Sequence, residues 1–219
     1  MQTIRLQQEQ HRECILFFNG WGMDPAPFHA LPATGCDLCM FIDYRTLEPV
    51  DLQMFAGYDR LHLVAWSMGV WVAAHLLADR ADCFATSTAM GGTLSPIDNQ
   101  RGIPAASYNA MLDQFTAQTL DSFYENMFDS REQLHTFLEN RPKREVAELR
   151  DELQAFSDAF FNFGPAPDIY QRKIITSRDR IYSARNQLRA WGKNSAEVRN
   201  WPHFPFYMLT DWHELLLTQ

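Results

Sequence analysis

The sequence predicts an α/β domain in which a mostly parallel sheet carries helices on both faces, with a small helical cap inserted into it. Two observations lead to this class. The first is a set of short apolar, β-branched or aromatic runs typical of buried strands, and the second is that these runs alternate with segments that have apolar residues at helical spacing. Such alternation is typical of parallel strands joined by helices. The 219 residues suit a single domain, 1–219.

Five apolar runs predict the main strands, and patterns between and after them predict the helices. The strands are CILFFNG (14–20), LCMFIDY (38–44), LHLVAWS (61–67), FATSTAMGG (84–92) and KIITSRD (173–179), with a short last strand at about 197–201. Helices are predicted at 68–80, 183–192 and 211–218.

The segment from about 100 to 165 departs from this alternation. It contains three amphipathic helical patterns and no strand between them. Pro142 interrupts the segment, and Pro165 and Pro167 close it before the next strand. We therefore expect a helical cap over one edge of the sheet.

Composition limits the possible partners and locations. The net charge of −8 argues against nucleic acid as a general partner. No run of 18 apolar residues predicts a membrane span, and the polar N-terminal segment does not resemble a signal peptide. Four cysteines are few, and the pair Cys36 and Cys39 has no second ligand pair at a suitable spacing. We expect reduced thiols, a cytoplasmic protein, and no metal or cofactor.

The strongest chemical signal is Ala65-Trp66-Ser67-Met68-Gly69. A strand is predicted to enter this pentapeptide and a helix to leave it, which is the setting of a nucleophile elbow. The usual first residue is glycine, and Ala65 is a small departure from that pattern. Ser67 is the predicted nucleophile. The alternative is a structural serine that caps the helix.

A second signal follows the first predicted strand, in Asn19-Gly20-Trp21-Gly22. Glycines on both sides of Trp21 allow the backbone to come close to a ligand. The backbone N–H groups of Trp21 and Met68 are predicted to form an oxyanion hole. The alternative is an ordinary glycine-rich strand exit.

A serine nucleophile needs a base and an orienting carboxylate. His203 lies in a loop between the last short strand and the final helix, where a base would overhang the sheet edge; His213, within that helix, is the weaker candidate. Asp179 ends a predicted strand, whereas an Asp–Arg surface pair is the alternative. The order Ser67, Asp179, His203 is the order of the α/β-hydrolase fold.

These motifs resemble those of the BioG-type pimeloyl-[acyl-carrier protein] methyl ester esterases, a family of the α/β-hydrolase superfamily. The resemblance rests on FFNGWGMDP, AWSMGVWVA, SRDRIYSARNQLRAW and HFPF. It implies hydrolysis of the methyl ester of pimeloyl-[acyl-carrier protein] to pimeloyl-[acyl-carrier protein] and methanol in biotin synthesis. The partner would be an acyl carrier protein bearing the pimeloyl methyl ester, and the catalytic residues would be Ser67, Asp179 and His203.

Two sets of residues are candidates for holding such a substrate. Apolar residues that could line an acyl channel are Trp21, Trp66, Phe123, Met127, Phe128, Phe160 and Phe161, although such residues more often belong to a core. An acidic carrier needs a basic patch on an acidic enzyme. Candidates are Arg141, Lys143, Arg144 and Arg150, and the basic segment 171–200.

Other functions share the same predicted residues. A carboxylesterase, a thioesterase or a carbon–carbon bond hydrolase for another small acyl substrate would use the same catalytic groups. An inactive α/β-hydrolase that only binds a partner is the alternative from another class. The sequence does not predict the oligomeric state.

Overall fold

Seven strands form one sheet in the computed structural model, which describes residues 1–216. They are β1 (Gln2–Gln7), β2 (Glu13–Phe18), β3 (Cys36–Ile42), β4 (Arg60–Trp66), β5 (Thr86–Met90), β6 (Arg172–Thr176) and β7 (Glu197–Arg199). Their spatial order is β1-β3-β2-β4-β5-β6-β7. Only β1 is antiparallel to its neighbour among these strands, and all other adjacent pairs are parallel.

Six α-helices accompany the sheet. They are α1 (Met68–Leu76), α2 (Ala105–Asp113), α3 (Ala117–Asn126), α4 (Arg131–Glu139), α5 (Val146–Phe163) and α6 (Ala184–Trp191). None of the helices in residues 1–216 combines the length and apolarity needed to cross a membrane. The mostly parallel sheet with its helices confirms the predicted fold class.

The centre of the sheet is covered on both sides, as strand β2 demonstrates. All five residues from Cys14 to Phe18 are buried, although successive strand residues point to opposite faces. Phe17 packs on Trp212 at 4.7 Å between ring centroids, whereas Phe18 stacks on Phe41 at 4.5 Å. A strand buried on both faces is the reason for the continuous apolar run in the sequence.

The polar N-terminal segment was not predicted to be a strand, yet it forms β1. Its residues are exposed or partly buried, and none is fully buried, because β1 is an edge strand that contacts the sheet through β3 alone. Edge strands are commonly polar, which limits pairing with other chains. The polar composition therefore hides the strand from a search for apolar runs.

Two predicted helices are shorter than expected. The helix predicted at 68–80 ends at Leu76, because Leu77 leaves the helical region with φ −115° and ψ 15°, and a 3-10 helix follows at Ala78–Cys83. The helix predicted at 211–218 is a short 3-10 helix, Trp212–Leu215, and positions 217 and 218 lie outside the described residues.

Helices α2 to α5 all belong to the segment of the chain that connects β5 to β6. The longest of them, α5, packs on α1 through Phe156 and Phe160, whose rings contact the indole of Trp71. Trp71 Nε1 donates a hydrogen bond to the carbonyl oxygen of Gly164 at 2.9 Å, just after α5 ends. These contacts fix α5 on the helix that follows the Ser67 turn.

Candidate active site

Ser67 lies in a tight turn between β4 and α1. Its backbone has φ 58° and ψ −125°, a conformation that residues with a Cβ rarely adopt. A strained serine between a strand and a helix is the geometry of a nucleophile elbow. The strand–turn–helix pattern in the sequence predicts this turn.

The turn is closely packed against two glycines. A Cβ on Gly69 would lie 2.2 Å from the carbonyl oxygen of Phe18, and a Cβ on Gly92 would lie 2.2 Å from that of Ser67. Both distances are far below van der Waals contact, so only glycine fits at these two positions. Ala65, the departure from the usual pattern, is fully buried in β4.

His203 and Asp179 form a buried pair at the carboxyl edge of the sheet. His203 Nδ1 lies 2.7 Å from Asp179 Oδ2, and both side chains are fully buried. The carboxylate accepts a hydrogen bond from Nδ1–H, which leaves Nε2 as the basic nitrogen of the neutral ring. Nε2 has no hydrogen-bond partner within residues 1–216.

Asp179 receives four further hydrogen bonds. Oδ1 accepts from the backbone N–H groups of Ile181 and Tyr182, both at 2.8 Å. Oδ2 accepts from the hydroxyl of Thr176 at 2.8 Å and from the Gln187 amide at 3.3 Å. The carboxylate is thus fixed by β6, by the turn after it and by α6, and it presents one oxygen to the imidazole.

Trp66 joins the serine turn to the histidine loop. Its indole Nε1 donates a hydrogen bond of 2.8 Å to the carbonyl oxygen of His203, and the two rings lie 5.1 Å apart. The indole is also enclosed by Phe28, Phe204 and Phe206. Trp66 is therefore a buried packing residue beneath the site.

The glycine-rich loop after β2 places Trp21 beside the serine turn. The carbonyl of Asn19 accepts from the Tyr44 hydroxyl at 2.7 Å, and the carbonyl of Gly22 accepts from the Tyr124 hydroxyl at 3.1 Å. Gly22 has φ 80°, which glycine adopts without strain. The backbone N–H groups of Trp21 and Met68 donate no hydrogen bond within the described chain, as the oxyanion-hole prediction requires.

A narrow, mostly apolar cavity of about 160 Å³ lies at Ser67. It is lined by Trp21, Ser67, Met68, Ile103, Ser107, Tyr108, Met111, Phe123, Leu153, Arg180 and Ile181. A larger, more open groove of about 420 Å³ lies between residues 27–31 and 130–136 and is lined by none of the predicted catalytic residues. The smaller cavity is the candidate binding site because it contains Ser67.

Two of the residues predicted to line an acyl channel, Trp21 and Phe123, do line this cavity. Trp66, Met127 and Phe128 do not, because each is buried in the aromatic core; Phe128, for example, packs on Phe137 and Phe204. Phe160 packs on Trp71, and Phe161 is 65% exposed. Apolarity alone did not distinguish cavity residues from core residues.

The cavity residues that sequence reasoning missed come mainly from α2 and from the turn after Asp179. Tyr108 and Met111 of α2 lie one helical turn apart, a spacing that indicates a shared face. Arg180 and Ile181 follow Asp179 directly. Adjacency to the predicted acid was the signal that could have identified this pair.

Two of the four cations in the predicted basic patch, Arg141 and Arg144, are already paired with carboxylates. Arg144 is 9% exposed and forms ion pairs with Glu152 at 2.5 Å and Asp43 at 3.5 Å. Arg141 pairs with Asp121 at 2.7 Å and lies over the Tyr124 ring. The expectation that Arg144 contacts a partner is therefore wrong, since burial and pairing fix its guanidinium inside the protein.

The other two residues of that patch, Lys143 and Arg150, are exposed. The backbone N–H of Lys143 donates to Asp24 Oδ2 at 2.7 Å, which fixes the loop before α5 without occupying the ammonium group.

One cluster in the described chain has the residue types of a metal site. Single ligand atoms of Glu13, Cys36 and His62 lie within 4.8 Å of one another, at the amino edge of the sheet. His62 already uses both ring nitrogens, with Glu13 and Thr86 at 2.9 Å each, and burial raises the pKa of the Cys36 thiol to about 11. We interpret the cluster as a His–carboxylate pair beside a neutral thiol.

Comparisons with known proteins identify the family and the fold of this chain. A family model described as pimeloyl-ACP methyl esterase BioG matches residues 1–215. The crystal structure of BioG from Haemophilus influenzae has a TM-score of 0.87 and 29% sequence identity, and the match covers 99% of this chain and 100% of that one. A lipase-esterase related protein from Clostridium acetobutylicum ATCC 824 has a TM-score of 0.64 at 11% identity, covering 94% and 93% of the two chains, which shows a shared fold.

A longer relative also matches. The malonyl-[acyl-carrier protein] O-methyltransferase of Bacteroides fragilis (strain 638R) is 38% identical over 191 residues, which are 87% of this chain. The match spans only 39% of that relative's length. The family match over nearly the whole chain decides the assignment: this protein is an α/β-hydrolase that belongs to the BioG family of biotin synthesis.

Proposed function

We propose that this protein is a serine esterase that removes the methyl group from pimeloyl-[acyl-carrier protein] methyl ester in biotin synthesis. The observation that carries the proposal is the buried His203–Asp179 pair, which Trp66 connects to the strained turn of Ser67. A base with a fixed tautomer, whose loop is bonded to the turn of a strained serine, supports a serine acyl-transfer enzyme.

The proposed reaction begins with attack of Ser67 Oγ on the ester carbonyl carbon. His203 Nε2 takes the hydroxyl proton, and Asp179 stabilises the resulting imidazolium. The carbonyl oxygen becomes an oxyanion, which accepts hydrogen bonds from the backbone N–H groups of Trp21 and Met68. When the tetrahedral intermediate collapses, His203 returns the proton to the leaving oxygen and methanol departs.

The second half-reaction releases the acid. His203 removes a proton from water, which attacks the acyl–Ser67 carbonyl; the same two N–H groups hold the second oxyanion. Collapse of that intermediate breaks the bond to Ser67 Oγ, which takes its proton back from His203. The product is the free carboxylate of the pimeloyl chain, still attached to its carrier. No metal or organic cofactor takes part in these steps.

The cavity supports an acyl substrate of limited size. Its volume of about 160 Å³ is below the roughly 300–1,000 Å³ of pockets that enclose drug-sized ligands. The apolar walls, including Met111, Phe123 and Leu153, suit the methylene groups of a short chain. Helices α2, α3 and α5 supply these walls, and we propose that segment 100–165 is a cap over Ser67 within one domain.

The Bacteroides fragilis relative supports a methyl ester on a carrier-bound acid. That protein is named for transfer of a methyl group to malonyl-[acyl-carrier protein], and this chain matches 39% of it. The methyltransferase activity of that relative is not proposed for this protein, because this chain has an α/β-hydrolase fold. A methyl ester made on a carrier-bound acid is the kind of group that an esterase of this family would later remove.

A cytoplasmic location is part of the same proposal. The free state of Cys14, Cys36, Cys39 and Cys83 is compatible with a reducing compartment.

The test is demethylation of pimeloyl-[acyl-carrier protein] methyl ester, followed by mass spectrometry of the intact carrier. We expect turnover by the wild type and none by Ser67→Ala. Ser87→Ala is the matched control, since Ser87 is also buried but donates its hydroxyl to the Ile169 carbonyl, away from the cavity. A different result is possible: a fluorophosphonate probe labels Ser67 of the wild type, but the wild type leaves the carrier ester intact. That result would refute the proposed substrate and would support a serine hydrolase that acts on another one.

A further inference from the structure

We propose that Tyr124 of α3 is a positioning residue for catalysis, because its hydroxyl fixes the backbone that carries the Trp21 N–H of the oxyanion hole. The inference rests on the proposed function, since this N–H has a catalytic role only if an oxyanion forms at Ser67. Tyr124 does not line the cavity, so it would act through the backbone and not by contact with the substrate. We refer to residues 19–24, which follow β2, as the oxyanion loop.

The sheet holds the first residue of the oxyanion loop. The backbone N–H of Asn19 donates to the carbonyl oxygen of Phe41 at 3.1 Å, and the carbonyl oxygen of Asn19 accepts from the Tyr44 hydroxyl at 2.7 Å. Phe41 belongs to β3, and Tyr44 lies just after that strand. The start of the loop is therefore fixed without any contact from helices α2 to α5.

The second half of the loop is held by segment 100–165 instead. Three hydrogen bonds join it to that segment, and within residues 1–216 no other hydrogen bond joins it to a distant part of the chain. They run from Trp21 Nε1 to the Leu149 carbonyl oxygen at 2.9 Å, from the Tyr124 hydroxyl to the Gly22 carbonyl oxygen at 3.1 Å, and from the Lys143 backbone N–H to Asp24 Oδ2 at 2.7 Å.

The backbone on either side of Trp21 has little stiffness of its own. Gly20 and Gly22 flank this residue, and glycine has the widest range of backbone angles. Gly22 lies in the left-handed region with φ 80°. Contacts from outside the loop must therefore fix the direction in which the Trp21 N–H points.

Tyr124 is built to provide such a contact. Its side chain is 1% exposed, and its ring packs edge-to-face on Phe137 at 5.0 Å and lies under the Arg141 guanidinium at 5.2 Å. Burial raises the pKa of the hydroxyl, which therefore stays protonated and donates. Within residues 1–216, Gly22 is the one hydrogen-bond partner of this hydroxyl. A rigid ring thus presents a single donor to the oxyanion loop.

Two anchors enclose the Trp21 N–H along the chain. The bond from the indole to Leu149 fixes the side chain of Trp21, and the bond from Tyr124 fixes the carbonyl group of the next residue. Few backbone rotations remain between these points, so the N–H keeps one direction. A hydrogen bond weakens steeply when donor and acceptor lose alignment, so a small rotation of this peptide group would lower the stabilisation of an oxyanion.

The experiment compares Tyr124→Phe with a matched tyrosine variant on dimethyl pimelate, a free diester that needs no carrier. Tyr124→Phe keeps the ring and its packing and removes the bond to Gly22. We expect kcat to fall about fivefold and KM to stay within about twofold of the wild type. Tyr58→Phe is the control, because the Tyr58 hydroxyl donates to Asp37 Oδ2 at 2.7 Å at the opposite, amino end of β3. Its kcat should stay within about twofold of the wild type.

The second measurement is inhibition by a straight-chain alkyl trifluoromethyl ketone. Ser67 Oγ adds to its carbonyl carbon, His203 Nε2 takes the hydroxyl proton, and the electron pair of the C=O double bond moves to the oxygen, which becomes an oxyanion with no leaving group to expel. The inhibition constant of Tyr124→Phe should rise about fivefold, by the factor by which kcat/KM falls. The methyl ketone of the same chain length, which binds without forming this oxyanion, should inhibit both proteins equally.

Two results would overturn the positioning role. A lower melting temperature of Tyr124→Phe, with kcat and the inhibition constant of the trifluoromethyl ketone both within about twofold of the wild type, would show that the hydroxyl contributes stability alone. A fall of kcat without weaker inhibition by the trifluoromethyl ketone would show that Tyr124 acts on another part of the site.

Failure of the proposed function gives a different result. A wild type that neither hydrolyses dimethyl pimelate nor reacts with a fluorophosphonate at Ser67 is not a serine esterase, and the role of Tyr124 fails with it. A wild type that hydrolyses the diester, with a Tyr124→Phe variant that matches it in both measurements, keeps the esterase and loses only the positioning role. Neither measurement uses the carrier protein, so both are independent of the carrier-bound substrate.

Discussion

Trp66 Nε1 donates a hydrogen bond of 2.8 Å to the carbonyl oxygen of His203, so the residue before the candidate nucleophile holds the backbone of the candidate base. The sequence distance between the two is 137 residues. Because the contact is buried, it replaces hydration of both groups and fixes the histidine loop on the serine turn. We therefore expect the indole of Trp66 to position His203.

Trp66→Phe should lower kcat about fivefold and leave KM nearly unchanged. The variant keeps most of the aromatic packing and removes one buried hydrogen bond, an effect of about 1 kcal/mol that acts on the position of His203. Steady-state kinetics on dimethyl pimelate measures both constants.

Trp71→Phe is the control for this prediction. It removes a similar indole hydrogen bond, to Gly164 at 2.9 Å, but between α1 and α5. It should lower the melting temperature without changing kcat by more than about twofold. An equal fall of kcat in both variants would mean that Trp66 contributes stability alone.

Asp179→Asn should reduce kcat about 10⁴-fold while the protein stays folded. The amide can donate a hydrogen bond to His203 Nδ1, which favours the tautomer with its proton on Nε2 and removes the basic nitrogen. Burst kinetics with an activated ester measures the loss of Ser67 acylation. Asp168→Asn changes an acid that pairs with Lys173 nearer the surface and should keep wild-type rates; a small effect of Asp179→Asn would refute the assigned triad.

Gly69→Ala should destabilise the protein severely or prevent its soluble expression. The new Cβ would overlap the Phe18 carbonyl oxygen at 2.2 Å, and neither the strand nor the start of α1 can move without disturbing the Ser67 turn. We expect at least about 2–3 kcal/mol of lost stability in denaturant unfolding. Gly57→Ala, where a Cβ meets nothing within 4 Å, should cost little; equal behaviour of the two would contradict the packing argument.

The sequence was sufficient for the strands that are buried on both faces and for the order of the candidate triad. Apolar residues dominate β2 and β4, and Ser67 and Asp179 are the last residues of predicted strands, so the local pattern and the position in the fold led to the same prediction. β1 could not be found in this way, because an edge strand needs no apolar run.

The cavity could not be predicted from residue type. Phe123 and Phe128 lie five residues apart and have the same side chain, yet one lines the cavity and the other packs on Phe204. Likewise, Arg144 and Arg150 have the same charge, but only the structure shows that Arg144 forms ion pairs with Glu152 and Asp43. In both cases long-range contacts decide the role, and no local pattern encodes them.

Asp43→Asn should weaken the acid sensitivity of stability. Hydrogen bonds from Arg45 hold the pKa of the Asp43 carboxyl at about 2, below the ordinary value of about 3.9 that applies in the unfolded chain. The charged carboxylate therefore stabilises the fold fully above about pH 4. This stabilisation is lost progressively as the pH falls from about 4 towards the folded pKa of about 2. Between pH 5 and pH 3, the stability of the wild type should fall by about 1 kcal/mol more than that of the variant.

Urea unfolding at the two pH values measures this difference. Asp59→Asn is the control, because Asp59 is 64% exposed and its pairing with Arg12 at 3.4 Å is a surface contact. The same pH dependence in Asp43→Asn and the wild type would show that Arg45 does not stabilise the Asp43 charge.

Arg144→Met should destabilise the protein by about 3 kcal/mol or more, in contrast to a surface arginine. The substitution keeps much of the length of the side chain but leaves the carboxylate of Glu152, which is 1% exposed, buried without its cation. Burial already raises the pKa of Glu152, and loss of the guanidinium removes the main opposing charge. Arg150→Met, at an exposed position of α5, should change stability by less than about 0.5 kcal/mol.

A second variant separates the ion pair from simple packing. Arg144→Met/Glu152→Leu removes both charges, so it should recover much of the stability that Arg144→Met loses. The recovery should be incomplete, because the leucine cannot accept the hydrogen bond that the Tyr44 backbone N–H donates to Glu152. Denaturant unfolding gives the three free energies. If the double variant were no more stable than Arg144→Met, the cost would come from lost packing and not from an unpaired Glu152. Full stability of Arg144→Met would instead show that the buried ion pair with Glu152 does not stabilise the fold.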